Sequence, residues 1–472
     1  YLCGAKKQND KMIFEEHLET TVKAHDQLLH RRVDLLLRTG KLLVESLADT
    51  NRIMRNMKRT AAYLGIPEEK LHINVSFTML MVNVSDGNFS FTKFQRIDGH
   101  GVNMTAISEV SKLSWRAIEN DYTLDQYEEE LEKIRTKKRN YTPLQVAIGA
   151  GFACGGFCIQ FGCDWMAFLY ASIAAILGMR VRQKCNESGL NHYMGIAISA
   201  FVATMIAWAS TFLPEAWTST PWHPLLACAL FIVPGVPLIN FVDDMLDNYI
   251  QVGVVRAVNT LLMVSAMAFG IAFAVKLCHI DNFFPTISMI PHHSYWEYAL
   301  AAAISAMGFS MIFNVQRRLL WVVAIGGILA VCTRNFVNLG ASTDNIGLDM
   351  GLVIGSFTGA VLVSLIAVKA VHWFHVPNHV LTIPSVIPMI PGVLMYRMLF
   401  GVINMNVQTI DEITPLMKAI ESGVNSGLVI MCISLGVAIP NIFGRKFIAS
   451  SKNNHLKELL DERHKRGKFV EW

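Results

Sequence analysis

The chain has 472 residues, 52 % of them hydrophobic and only 17 % charged, with a formal net charge of +4. That length exceeds one ordinary domain, and so little charge excludes a simple soluble globule. The small positive balance lies beside apolar runs, so it does not indicate a nucleic-acid-binding surface and no nucleic-acid partner is expected.

Charged residues are dense up to residue 142 and sparse after it. The expectation is an N-terminal soluble α/β domain over 1–142, followed by an α-helical polytopic membrane domain. From Leu28 to Leu47 apolar residues recur at intervals of three and four, which predicts an amphipathic helix. A second helix is expected from Asp49 to Leu64, stopped by Gly65 and Pro67. "LHINVSFTMLMVNV" and "FSFTKFQRI" then read as a strand pair, turned at Asp86-Gly87. Asn103 can cap a helix reaching about Glu119, and Thr123 with Gln126 forms a capping box for a helix through Arg139. Glu45, Asp49 and Arg52 fall on one helical face and read as a solvated, salt-bridged surface. The head shows no catalytic constellation, so the chain is not read as an enzyme.

Ten spans are expected, at about 143–161, 164–181, 192–212, 224–242 and 254–276, then 297–314, 318–336, 347–369, 376–401 and 416–440. Lys133 to Arg139, Arg180 to Lys184, Arg317 with Arg318, and Arg445 to Lys457 are basic clusters that fall on one side of an alternating path. The positive-inside rule makes that side, with both termini, cytoplasmic. The nine cysteines lie mostly inside apolar runs and read as small hydrophobes rather than disulfides or metal ligands.

The two halves echo each other. "MGIAISAF" from Met194 returns as "MGLVIGSF" from Met350, and "PWHPLLACALFIVPG" returns as "PNHVLTIPSVIPMIPG". Five spans separate corresponding elements, and an odd number reverses orientation. This predicts two inverted five-helix repeats, 143–276 and 297–442, joined by an extracytoplasmic linker at 277–296 and followed by a basic cytoplasmic tail at 443–472.

Each repeat carries a Pro-Gly pair inside an apolar segment, Pro234-Gly235 and Pro391-Gly392. A broken helix leaves backbone groups that lipid cannot satisfy, so paired breaks point to a transport site near the midplane. Pro234, Gly235, Asn240, Asn259, Pro391, Gly392 and Arg397 are the expected substrate-binding residues. Asp244, with Asp243 as its rival, is expected to couple protons, unless it caps the next helix or pairs with Arg256. Arg256 and Glu421 are candidate gating or charge partners. His372, His375 and His379 surround Trp373 between two spans and read as an interfacial belt rather than a metal site. No Walker-type loop or cofactor motif is legible, so no cofactor is expected and direct ATP drive is not.

"LLRTGKLLVESLADTNRIMRNMKRTAAYLGI" and "PGVPLINFVDDMLDNYIQVGVVRAVN" resemble the bacterial threonine/serine exporter family, over about Leu28 to Ile442. The family pattern has Gly-Ala-Glu where this chain has Leu47, Ala48 and Asp49. Pro234, Gly235, Asn240, Asp244 and Gly253 match the first Pro-Gly pattern, and Pro391 and Gly392 the second. The resemblance implies the fused form of an exporter that some bacteria divide into two subunits. It implies a multi-pass protein of the bacterial inner membrane that exports threonine or serine, and it leaves a homo-oligomer open. Proton antiport is the expected drive. Succinate or another small dicarboxylate is the alternative substrate, and a channel or a membrane enzyme the readings from other classes.

Overall fold

A computed structural model describes residues 27–85, 89–214, 216–280, 293–341, 346–404 and 413–465. In the head, α1 covers residues 27–45 and α2 spans Thr50–Tyr63. Leu47 between them has a φ of +60°, a left-handed conformation that stops α1 and turns the chain. Asp49 caps α2, accepting from the Arg52 amide at 2.7 Å, and Gly65 with φ +77° lies just past its end.

Three antiparallel strands follow: β1 (Leu71–Val75), β2 (Met79–Ser85) and β3 (Ser90–Arg96), in the order β1-β2-β3. Leu71 lies opposite Val84, and Met79 opposite Arg96. The expected strand pair is thereby corrected to three strands. Ser76 breaks the first run, its hydroxyl accepting from the Met79 amide at 3.0 Å while its own amide donates to the Met79 carbonyl. The Asp86-Gly87 turn lies outside the described residues. Helices α3 (Met104–Glu119) and α4 (Leu124–Thr136) begin at the expected caps, Asn103 and the Thr123/Gln126 box, though α4 stops before Arg139. Leu80, Val82 and Val84 form the buried face of β2. Gly40 of α1 lies under Leu80 and Met57, where a Cβ would collide with both.

The apolar region contains α5 (Pro143–Gln160), α6 (Trp165–Glu187), α7 (His192–Trp208), α8 (Pro224–Ala227), α9 (Gly235–Leu246) and α10 (Ile250–Leu277). It continues with α11 (Tyr295–Ile312), α12 (Leu320–Asn338), α13 (Leu352–Phe374), α14 (Asn378–Val386), α15 (Gly392–Asn404) and α16 (Ile413–Lys465). Among the described residues seven helices are long and apolar enough to cross a membrane, and up to nine spans result if each of two bent pairs counts as one. Helix α11, at the expected sixth span, falls short because Tyr295, Glu297 and Tyr298 make its first turn polar. Its apolar remainder is about 21 Å long, less than a bilayer core.

Packing repeats along the chain. Helix α5 packs on α6, α6 on α7 and α7 on α10; likewise α11 packs on α12, α12 on α13 and α13 on α16. Helices α5 and α11 also pack on each other, and they approach closely at Gly149 and Gly308. Between neighbouring helices, hydroxyls donate to backbone carbonyls, as Ser172 to Gly151 and Ser199 to Gly178, both at 3.0 Å. The eight described cysteines are free.

Helix α16 is a single helix where the sequence suggests a span ending near 440 and a separate tail. Its far end reaches the head. Arg463 contacts Asp121 at 2.6 Å and donates to the Tyr63 carbonyl at 2.8 Å, while His455 stacks on Trp115. Head and helical region are thereby joined from both ends of the chain.

A Cβ on Gly308 would strike the Gly149 carbonyl and approach the Ala153 amide at 2.6 Å, and backbone cannot step aside. Gly308→Val is expected to cost on the order of 1–3 kcal/mol through overpacking, read as a lower melting temperature in detergent. Gly427→Ala, where nothing lies within 4 Å, should melt with the parent.

Candidate functional site

The two Pro-Gly breaks are built alike. In the first, α8 runs into a 3-10 turn at Leu230–Ile232, Val233 is extended, and α9 starts at Gly235. In the second, α14 runs into a 3-10 turn at Ile387–Met389, Ile390 is extended, and α15 starts at Gly392. The amide of Gly235 donates to Val233 at 2.8 Å and that of Gly392 to Ile390 at 2.9 Å. Proline removes one donor and fixes its own φ, so the chain bends by 58° at the first break and 57° at the second.

The breaks meet. A Cβ on Gly235 would collide with Ile387, and one on Gly392 would lie 2.7 Å from Leu230 and 3.1 Å from Val233. Each glycine thus makes room for the other segment's apolar side chains, and Tyr396 ties the two by donating to the Leu226 carbonyl at 2.7 Å. Beside the crossing, Phe157, Leu230, Val233, Phe309, Ile387, Ile390 and Gly392 enclose a void of about 10 Å³. The crossing is tightly packed and apolar.

Polar groups collect on the head side of that crossing. Asn240 donates to the Leu47 carbonyl at 2.9 Å, and Arg256 donates to the Ala48 carbonyl at 2.8 Å. The Thr50 amide donates to Asp244 Oδ1 at 2.8 Å, while Asp244 Oδ2 lies 3.3 Å from Arg256. Asn51 adds a bond to Asp247 at 2.6 Å. All of Asn240, Asp244 and Arg256 are at most 2 % exposed. The α1–α2 turn of the head is therefore seated in the helical region, and the left-handed Leu47 aims two successive carbonyls at Asn240 and Arg256.

The second broken segment contacts the same turn. His379, near the start of α14, has Nδ1 3.0 Å from Asp49 Oδ2 and Nε2 3.7 Å from Asp243 Oδ2. Asp49 also pairs with Arg52 at 3.0 Å. Burial pushes the Asp49 carboxyl up, but Arg52 and His379 outweigh it and hold the group well below the ordinary carboxylate range. Asp49, Asp243 and His379 present ligand atoms within 4.8 Å of one another, the one such trio among the described residues. The guanidinium on Asp49 makes the trio part of an ionic cluster.

Two sequence expectations are corrected here. Asp49 and Arg52 are buried rather than a solvated face, and His379 is buried rather than part of an interfacial belt. Trp373 is 76 % exposed. His379 was hard to find because its carboxylate partners lie about 330 and 136 positions away in sequence. Of the remaining expected site residues, Pro234, Gly235, Pro391 and Gly392 form the crossing. Asn259 instead accepts from the Tyr193 hydroxyl at 2.7 Å, Arg397 is half-buried beyond the second break, and Glu421 is exposed. The charge partner of Arg256 is Asp244, the pairing the sequence left open.

Removing one member of a buried ion pair strands the other. Arg256→Met and Asp244→Leu are each expected to cost about 3–5 kcal/mol, and the double substitution clearly less than their sum. Melting of the four proteins in one detergent measures the cycle; additive losses would mean the pair is not coupled.

Residues 34–278 match the family model described as "Putative threonine/serine exporter", and residues 298–443 match the model described as "Threonine/Serine exporter, ThrE". The "Probable succinate transporter subunit YjjP" of Klebsiella aerogenes is 26 % identical over 243 residues, covering 52 % of this chain and 92 % of that protein. The protein of the same name from Escherichia coli K12 is also 26 % identical over 243 residues, with 93 % of its length covered. No solved structure matches. With both halves matched in sequence, the chain belongs to the threonine/serine exporter family and carries the family's two parts in one polypeptide.

Proposed function

We propose that this chain is a secondary transporter that exports threonine or serine in exchange for protons, working by alternating access of two inverted five-helix repeats. The observation that carries this reading is the reciprocal crossing of two equally built helix breaks, with buried polar groups gathered on one side of it. The recurring packing order of α5–α10 and α11–α16 supports the repeat. Broken spans at matching positions are how membrane transporters expose helix ends to a substrate at mid-depth. A zwitterion needs a positive end for its carboxylate and a negative group for its ammonium. Half-helix starts at Gly235 and Gly392 can serve the first, and Asp243 or Asp244 the second.

The basic clusters make the head side cytoplasmic. In this arrangement the apolar crossing seals the middle, and the docked turn Leu47–Thr50 covers the cytoplasmic approach. Substrate entry then requires the turn to leave Asn240, Asp244 and Arg256, so the head acts as part of the cytoplasmic gate. For proton exchange Asp243 is the better-placed carboxylate, because it faces His379, whereas Asp244 is held by Arg256 and the Thr50 amide. The charged groups around it are Asp49, Arg52, Asp244, Arg256 and His379. A dicarboxylate such as succinate is the second reading, favoured by the similarity of the first half to proteins described as succinate transporter subunits.

Liposomes containing the purified chain should exchange labelled threonine or serine in counterflow, and inactivity with both, beside active succinate exchange, would transfer the assignment to the dicarboxylate. Asp243→Asn keeps the shape and removes the exchangeable proton. It should abolish pH-driven export while counterflow persists, and undiminished pH-driven export would exclude Asp243 as the coupling group.

A further inference from the structure

A cavity of about 600 Å³ lies between the head, the end of α13, the start of α14 and the middle of α16, apart from the helix crossing. Arg52, Arg55 and Arg59 of α2 line it, spaced three and four residues apart on one helix face, and Lys112 and Arg116 of α3 face them. Among the described lining residues only Asp49 and Glu119 are acidic, and Asp49 is already engaged by Arg52 and His379. Arg116 is shared with Glu130 at 3.4 Å, outside the cavity.

Arg59 is held by neutral groups. It donates to the Ser114 hydroxyl at 3.0 Å and lies over the Trp115 ring at 4.2 Å. Burial, then Arg55 and Arg52, push the Arg59 guanidinium down to about 9. Burial, then Arg318, pushes Lys112 down as well. Cations brought together at that cost are stabilised by whatever negative charge enters among them.

Two further observations indicate what enters. Ser108, 1 % exposed, lines the cavity with a hydroxyl that has no hydrogen-bond partner among the described residues. A buried hydroxyl without a partner costs free energy that an acceptor oxygen would recover. The opposite wall is mixed: Val368, Val371, Val376 and Pro377, at the end of α13 and the start of α14, alternate with three histidines and two asparagines. Trp373, on the same last turn of α13, is 76 % exposed, and exposed tryptophans at span ends favour the headgroup level of a membrane.

We propose that this cavity is a phosphate-binding site whose ligand is a phospholipid headgroup or a free phosphate, held by Arg55, Arg59 and Lys112 with the Ser108 hydroxyl. Guanidinium groups fit phosphate oxygens in bidentate fashion, and basic pockets at span ends on the cytoplasmic side favour anionic headgroups. The valines and Pro377 favour the lipid source, because acyl chains can pack on them. A ligand here would bridge α2 and α3 to the span ends beside the Asp49–His379 contact.

Native mass spectrometry of the full chain, from micelles containing equal phosphatidylglycerol and phosphatidylcholine, tests this without any transport assay. Phosphatidylglycerol should be retained in preference, and Arg55→Gln with Lys112→Gln should reduce that retention about tenfold or more. Radiolabelled inorganic phosphate should compete. Saturable phosphate binding that weakens in the double variant, without any lipid preference, supports the site and assigns the free ion as its source. No binding of either, or binding unaffected by the double variant, overturns the proposal, as does binding of succinate in place of phosphate. Gel-filtration elution as a monodisperse species, and retained binding in Lys112→Arg, separate loss of the site from loss of fold. Counterflow is scored independently, so failure of the transport reading leaves this result interpretable, and the reverse.

Discussion

The ion pair between Asp244 and Arg256 organises the head side of this molecule. Both charges are buried past a helix break, and charges in such surroundings are costly unless their remaining bonding capacity is filled. The head fills it. Asp244 accepts the Thr50 amide and Arg256 donates to the Ala48 carbonyl, so the pair and the turn stabilise each other. Because Leu47 takes a left-handed conformation, the two carbonyls that follow α1 point outward at the partners that need them. The same turn begins α2 through the Asp49 cap and reaches the second broken segment through His379. One short stretch of the head thus touches the flanking segments of both helix breaks.

The closed crossing follows from sterics alone. Gly235 and Gly392 each face the apolar side chains of the opposite segment, and any larger residue would hold the breaks apart. Proline before each glycine fixes the bend, so the crossing geometry is set by four residues. Apolar packing lies at the centre, with buried ions on its head side. The long α16, which leaves the bilayer region and grips Asp121 and Tyr63, couples the head to the second half independently of the turn.

Much of this was legible in the sequence where the signal is local. The caps at Asn103 and Thr123, and the paired Pro-Gly breaks, depend on neighbouring residues and are found where expected. Strand count failed at Ser76, because a hydroxyl turn inside a β-branched run leaves no Gly or Pro to mark it. Of the ten expected spans, the sixth falls short of spanning length and hydropathy at α11, where the first turn is polar. The site itself was half visible. Asn240, Asp243, Asp244 and Arg256 sit together as local polar residues in apolar surroundings. Asp49 and His379 were misread as surface, because burial of an amphipathic helix start or of a loop histidine is decided by tertiary contacts far away in sequence.

In the transport cycle proposed above, the seated turn must leave the helical region for substrate to pass. Asn51 and Asp247, whose side chains meet at 2.6 Å, can be changed together to cysteine and joined by a short, reducible bis-thiol linker. Liposomes bearing the linked Asn51→Cys/Asp247→Cys protein should show no counterflow, and reduction should restore it, while linker-treated parent protein stays active throughout. Counterflow at the unlinked rate in fully linked protein would contradict the claim and leave the head as a fixed structural support.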